Sequence, residues 1–201
     1  MRNAYVLLGI SFIIVFGGAY ILFHQAAEAP TTETLITPSI KTMLTLTSPA
    51  FLHNELIPLK YSCDGENVNP SLLISNVPEG TQSLVLVMDD SDIPQELKEV
   101  HGIEKFNHWS IYNLAPDTSE IAEGEVLGAV GENSRGDQAY TGPCPPTEYE
   151  PTEHRYIFRL YALSGTLSFM KEPTLDEVEG AAKGMMIEKT ELMGRYSRVT
   201  E

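Results

Sequence analysis

The stretch "HRYIFRLYAL", residues 154–163, is a run of aromatic and aliphatic residues that opens with a histidine. Short apolar runs bounded by turn-forming residues are typical of buried β-strands. Three further runs have this character, at 43–48 ("MLTLTS"), 83–88 ("SLVLVM") and 108–114 ("HWSIYNL"). Most of the 13 prolines and 15 glycines lie between such runs. The sequence therefore predicts a mainly β fold of the antiparallel sandwich type.

The C-terminal part changes to a helical pattern. Thr174 and Glu177 have the spacing of a capping box, and apolar residues follow at helical intervals at Leu175, Val178, Ala182, Met185 and Met186. A second short helix is predicted over 187–193, with Gly194 as its end. We therefore expect peripheral C-terminal helices packed on the sandwich.

The N-terminal segment 4–23 contains no charged residue. Twenty helical residues at about 1.5 Å each span a hydrocarbon core of ~30 Å, whereas a signal peptide usually has an apolar core of about 7–15 residues. This favours one N-terminal transmembrane helix over a cleaved signal. Because Arg2 precedes the segment and the next basic residue is Lys41, the rest of the chain is expected outside the cytoplasm. The protein would be secreted if the segment were cleaved.

These features divide the chain into three parts. Residues 1–25 form the expected membrane anchor or signal segment, and 26–42 form a linker rich in threonine and proline. Residues 43–201 form the expected body domain.

The charge of the chain is strongly acidic, with 28 acidic and 13 basic residues and a net charge of −15. Such a surface repels phosphate backbones, and no basic cluster interrupts it. Nucleic acid is therefore not expected as a partner.

Candidate binding residues lie where the predicted strands begin or end. Asp90 and Asp92 follow the run 83–88, whereas His108 and His154 begin two others. Taken singly, each is typical of a turn or of an ordinary hydrogen-bonded side chain. Together they could converge at one rim of a sheet, where carboxylates orient imidazoles and the imidazoles, with Tyr156, donate to an anion.

Five stretches resemble the phosphatidylethanolamine-binding protein family, in particular its bacterial and archaeal Raf-kinase-inhibitor-like branch. They are "CDGEN" (63–67), "VPEGTQSLVLVMDDSDIP" (77–94), "HWSIYNL" (108–114), "GPCPP" (142–146) and "HRYIFRLYAL" (154–163). The resemblance extends over about 43–198. It implies an antiparallel β-sandwich with peripheral helices and an anion pocket formed by Asp90, Asp92, His108, Pro145, His154 and Tyr156.

The chain departs from the family pattern near this expected pocket. Ser91 stands where the family usually has proline, and the polar insert 95–107 is longer than expected. Residues 133–136 are Asn-Ser-Arg-Gly in place of Asn-Asp-Phe-Gly. These changes put the shape of the pocket mouth, and hence the size of the ligand, in doubt.

The resemblance implies a small-anion binding protein, for a phosphate ester or a carboxylate. The N-terminal segment adds the expectation that this protein is extracytoplasmic and membrane-tethered. No catalytic residue, cofactor or metal is assigned. One alternative is an inhibitor or interaction module for a kinase- or protease-like partner, acting through the pocket or its loops. Another is a hydrolase that uses the Asp/His cluster as acid and base.

Cys63 and Cys144 both flank loops of the expected pocket rim. In a chain that faces an oxidising compartment, two cysteines predict one disulfide. The alternative is a pair of small buried thiols that never meet.

Overall fold

The computed structural model describes residues 43–198. Within this range the chain forms nine strands, two α-helices and one short 3-10 helix at Leu59–Tyr61. The strands are β1 Thr45–Thr47, β2 Glu55–Leu56, β3 Leu72–Ser75, β4 Ser83–Asp90, β5 Phe106–Leu114, β6 Glu120–Ile121, β7 Ala129–Val130, β8 Glu153–Leu163 and β9 Met186–Ser197. The α-helices are α1 Gln95–His101 and α2 Leu175–Met185.

The larger sheet has the strand order β2-β9-β8-β4-β5-β7. Its pairs are antiparallel except for β2 with β9. Strand β8, which contains "HRYIFRLYAL", pairs along its whole length with β9 on one side and, from Tyr156 to Leu163, with β4 on the other. An apolar run is expected at such a position, because a central strand is covered on both faces.

Strand β4 is buried at all eight positions, and its two faces pack on different clusters. Leu84, Leu86 and Met88 point into the main core. Val85 and Val87 point to the opposite face and pack beneath α2. The uninterrupted apolar run of this strand follows from its burial on both faces.

A smaller antiparallel sheet, β1-β3-β6, covers the main core. Leu46, Leu72, Ile74 and Ile121 from its strands share one cluster with Leu86 and Phe158 of the larger sheet. The two sheets therefore enclose a common core.

Helix α2 begins with the predicted capping box: the Thr174 side chain accepts from the Glu177 amide, and the Glu177 carboxylate accepts from the Thr174 amide. Leu175, Val178 and Ala182 are buried against the outer face of the larger sheet. Met185 and Met186, predicted to continue this face, are instead 41% and 43% exposed, since the helix ends between them.

The predicted second C-terminal helix is wrong. Residues 187–193 belong to strand β9, which pairs with β8 from Glu153↔Ser197 to Leu163↔Met186. This long-range pairing overrides the helical tendency of the segment. Gly194 does not end a helix; a Cβ there would lie 2.5 Å from Ile57 Cγ1 and 2.8 Å from Phe51 Cε2.

The predicted fold class is therefore corrected in its helices. One of the two observed α-helices, α1, lies in the insert 95–107 and not at the C-terminus. The predicted N-terminal transmembrane helix is not supported, since its residues fall outside the described range. Within 43–198 no helix has the length and apolar character needed to cross a bilayer. The expected anchor 1–25 and the linker 26–42 lie outside the described residues.

Cys63 and Cys144 form a disulfide with their Cα atoms 5.4 Å apart, and the bond joins positions 81 residues apart in sequence. A cross-link that closes a loop of this length reduces the entropy of the unfolded chain by an amount worth about 4–5 kcal/mol.

We expect the double variant Cys63→Ala/Cys144→Ala to lose up to that much unfolding free energy in urea titrations.

Wild-type protein treated with a phosphine reductant is the matched control and should unfold like the double variant. An unfolding free energy equal to that of the oxidised wild type would contradict the prediction.

Candidate functional site

Strand alternation sends the two aspartates at the end of β4 to opposite faces. Asp89 follows Val85 and Val87 to the face beneath α2, where Lys105 and Arg159 pair with its carboxylate. Asp90 follows Met88 to the core side and is only 2% exposed. The two carboxylates therefore belong to separate sites.

A buried hydrogen bond joins Asp90 to His154, the second residue of β8. His154 Nδ1 lies 2.6 Å from Asp90 Oδ2, and the ring is fully buried. Asp90 Oδ1 accepts from the Asp92 amide at 2.8 Å, so both carboxylate oxygens are occupied. Because Nδ1–H donates to the carboxylate, Nε2 is the free nitrogen of His154; this buried atom has no hydrogen-bond partner among the described residues.

A β-bulge directs His108 toward the same place. Met88 pairs with Trp109 but Asp89 pairs with Asn107, so His108 is an extra residue in β5. The consecutive residues His108 and Trp109 consequently both face the core side, where the His108 ring lies 5.2 Å from that of Tyr156. Bulges of this kind commonly re-aim a side chain at a functional site.

His108 differs chemically from the predicted anion donor. Its Nδ1 lies 2.7 Å from the Thr141 carbonyl, which fixes Nδ1–H as donor. Burial lowers the pKa of His108 to about 4 and outweighs the opposing effect of the Thr141 hydrogen bond. His108 is therefore neutral near neutral pH, and its Nε2 accepts a hydrogen bond there and does not donate one.

Tyr156 supplies a buried hydroxyl beside both histidines. Burial, followed by the nearby charge of Asp90, raises the pKa of Tyr156, so the phenol stays protonated and can donate. Although Asp90 and the Cys144 backbone lie close, the hydroxyl makes no hydrogen bond of standard geometry with any described residue.

These residues surround a cavity of about 220 Å³, here called the histidine cavity. Its polar wall consists of Asp90, His108, Arg135, Thr141, His154 and Tyr156. Its remaining wall consists of Ile93, Leu97, Phe106, Gly142, Cys144, Pro145 and Pro146. A cavity of this size accommodates a small group such as a phosphate or a carboxylate.

Arg135 adds a cation to this cavity from an exposed loop. The loop is held by the buried Asn133, whose Oδ1 accepts from the Arg135 amide at 2.8 Å and whose Nδ2 donates to Thr141 Oγ1 at 2.9 Å. Arg135 lies in the segment Asn-Ser-Arg-Gly, where the sequence departs from the family pattern. That departure is the feature of the sequence that could have indicated Arg135 as a cavity residue.

The rim of the cavity consists of two loops that are fastened to each other. Besides the disulfide, Cys63 N–H donates to the Pro143 carbonyl at 3.0 Å and Gly142 N–H donates to Asn67 Oδ1 at 2.8 Å. The loops approach so closely that a Cβ on Gly142 would lie 2.3 Å from the Tyr61 carbonyl oxygen. Glycine is therefore required in the "GPCPP" loop.

The structure brings five of the six predicted pocket residues to one cavity, namely Asp90, His108, Pro145, His154 and Tyr156. Asp92 is not among its lining residues. The carboxylate of Asp92 binds Arg155 through Nε at 2.8 Å and Nη2 at 2.6 Å, and these hydrogen bonds lower its pKa. Sequence reasoning missed Arg135 as well as Thr141, whose backbone carbonyl orients His108.

The geometry thus describes a mainly β protein with a small polar cavity at the end of its larger sheet. The family model for phosphatidylethanolamine-binding protein matches residues 47–197. The chain belongs to this family.

Individual relatives agree with that assignment. The UPF0098 protein of Chlamydia trachomatis is 42% identical over 154 residues, covering 76% of this chain and 98% of the relative. The UPF0098 protein of Pyrococcus abyssi is 38% identical over 160 residues, covering 75% and 84%.

Solved structures show the same fold. The crystal structure of a phosphatidylethanolamine-binding protein homologue from Chlamydia trachomatis superposes with a TM-score of 0.70 at 39% identity, covering 78% of this chain and 99% of that one. Escherichia coli YbcL superposes with a TM-score of 0.69 over 79% and 100% of the chains, and at 23% identity it supports the fold alone.

Buried neutral His108 makes folding sensitive to acid. Its pKa is about 4 in the folded chain and 6.5 in its ordinary state, so the unfolded chain binds the additional proton as pH falls through 6.5. The contribution of His108 to the free energy of unfolding is therefore fully present above pH 6.5 and declines toward pH 4. Between about pH 7 and about pH 5 we expect a loss of roughly 2 kcal/mol from this residue, measured by urea unfolding.

The variant His108→Gln retains a side-chain donor but does not titrate, so its unfolding free energy should fall less over this range. His101→Gln replaces an exposed ring on α1 and should leave the wild-type profile unchanged. Identical profiles for wild type and His108→Gln would refute the assignment of a neutral buried imidazole.

Proposed function

We propose that this protein binds a small oxyanion, the phosphate group of a phosphate ester or a carboxylate, in the histidine cavity. One observation carries the proposal: two buried polar atoms, His154 Nε2 and Tyr156 Oη, have no partner among the described residues and belong to one cavity wall. Leaving a buried polar group unsatisfied costs about 1–3 kcal/mol. An oxyanion that retains one O–H would satisfy both, because it accepts from Tyr156 Oη and donates to His154 Nε2.

The charges of the cavity support an anion over a neutral ligand. Arg135 is cationic and the Tyr156 phenol donates, while the hydrogen bond to Asp90 holds Nδ1 of His154 and leaves its Nε2 to face the ligand. Neutral His108 adds an acceptor at Nε2, which suits a ligand that retains one O–H, such as a monoprotonated phosphate ester. The net charge of −15 does not oppose this, because local donors determine small-anion binding.

The family assignment favours a phosphate ester within this class. The family is named for binding phosphatidylethanolamine, which contains a phosphate ester. The disulfide between Cys63 and Cys144 supports an extracytoplasmic location, since disulfides persist in oxidising compartments and are rare in the cytosol.

The variant Tyr156→Phe tests the proposal directly. It removes the hydroxyl expected to donate to the oxyanion, and a hydrogen bond to a charged group contributes about 1.5–3 kcal/mol. We expect the affinity for methyl phosphate, measured by isothermal titration calorimetry, to fall roughly tenfold or more. Folding stability should be nearly unchanged, because the hydroxyl has no partner within the described chain.

Tyr140→Phe is the matched control, since its hydroxyl donates to the Tyr61 carbonyl at 2.8 Å and lies outside the cavity wall. It should lose about 1 kcal/mol of stability and bind methyl phosphate normally. Parallel titrations with acetate distinguish a carboxylate ligand from a phosphate ester. No binding of either ligand to the wild type, or equal affinity in Tyr156→Phe, would refute the proposed function.

A further inference from the structure

A second cavity of about 470 Å³ adjoins the histidine cavity. We call it the helix cavity; it lies beside α1, and the residues that line it alone include His101, Ile103, Asn107, Glu132, Thr174 and Asp176. Ile93, Leu97 and Phe106 line both cavities. The two spaces are therefore neighbours along these three apolar side chains.

The two cavities have opposite electrostatic character. The histidine cavity has the Arg135 cation and the unpartnered atoms of His154 and Tyr156, whereas the helix cavity is bordered by Glu132 and Asp176. Lys105 Nζ lies 3.4 Å from Asp176 but also 2.9 Å from both Asp89 and Glu179. Arg159 and Lys183 also pair with Asp89 and Glu179, whereas Glu132 has no salt-bridge partner among the described residues, so this carboxylate keeps the border of the helix cavity acidic.

Helix α1 gives the helix cavity an apolar wall that the core does not use. No residue of α1 is fully buried, and Leu97 is half-buried because it faces the two cavities. Ile103, just after the helix, is likewise half-buried and lines the helix cavity alone. These side chains present apolar surface that a ligand could cover.

We propose that the two cavities form one bipartite site for an organic ester: the oxyanion occupies the histidine cavity, and an apolar body that is neutral or cationic occupies the helix cavity against α1. This inference rests on the proposed function and specifies its ligand class. A second anionic group on the body is disfavoured by Glu132 and Asp176. Inorganic phosphate, which lacks a body, is a poor ligand compared with an alkyl phosphate.

Calorimetry with a series of phosphate monoesters tests the inference on the full-length protein. Each methylene that is fully buried strengthens binding up to about fourfold, so hexyl phosphate should bind at least about tenfold more tightly than methyl phosphate. The cationic 6-aminohexyl phosphate should keep most of this advantage. The corresponding ester with a terminal carboxylate should bind more weakly than hexyl phosphate.

Two variants locate the body. Ile103→Ser should remove much of the advantage of hexyl over methyl phosphate while leaving the affinity for methyl phosphate unchanged. Val100→Ser is its control, because Val100 is 76% exposed on α1 and lines neither cavity. Asp176→Asn, at an exposed position, should strengthen binding of the terminal carboxylate without changing that of hexyl phosphate.

The outcomes separate the two proposals. Methyl phosphate binding without a gain for hexyl phosphate would overturn the bipartite site and leave the oxyanion site standing. A hexyl advantage that persists in Ile103→Ser would place the body elsewhere and overturn the inference, whether or not Val100→Ser changes it. Failure of every ester to bind would overturn both.

Discussion

Strand β4 ends in two consecutive aspartates that are both withdrawn from water, Asp89 at 0% and Asp90 at 2% exposure. An ionised carboxylate at such a position is very costly unless it is paired and hydrogen-bonded. Because a strand alternates its faces, the two carboxylates need separate partners on opposite sides of the sheet. Asp90 is paired with His154 and thereby fixes the orientation of the His154 imidazole in the histidine cavity. Asp89 is paired with Lys105 and Arg159.

The Asp89 side of this arrangement supports the site indirectly. Lys105 immediately precedes Phe106, which lines both cavities, and it also binds Glu179 of α2. Burial opposes ionisation of Glu179, but hydrogen bonds from Tyr161 and Lys105 outweigh it and lower its pKa to about 2. Removing a partner from a buried carboxylate such as Asp89 or Glu179 would leave an uncompensated charge, so these ion pairs are costly to break. Because Lys105 takes part in them, they hold the start of β5 against the outer face of the sheet.

The sequence was informative where one local pattern has one structural outcome. The four apolar runs became β1, β4, β5 and β8, and the capping box at Thr174 formed as its spacing predicts. It was misleading at 187–193, because pairing with β8 is a long-range interaction that no local pattern contains. Likewise, nothing in the run 108–114 indicates the bulge that turns His108 and Trp109 to the same side.

The candidate site, like the fold, could be predicted from the sequence only in part. Asp90, His108, His154 and Tyr156 line one cavity, and the family pattern in the sequence had grouped them. Asp92 lies outside the wall of that cavity because the strand ends at Asp90: beyond it the chain turns, the Asp92 amide donates to Asp90 and the Asp92 carboxylate binds Arg155. The protonation of His108 depends on burial and on the Thr141 carbonyl, which only the folded chain brings to it.

The two cavities differ in what holds their walls. The histidine cavity is built on the central strands and on loops fastened by the disulfide and by the close approach at Gly142, so its geometry is fixed by the core. The helix cavity depends on α1, a seven-residue helix in a long polar insert with no fully buried residue. Changes in that insert can alter the apolar wall without disturbing the sheet. The proposed oxyanion site therefore depends on the fold, whereas the proposed selection among esters depends on the insert.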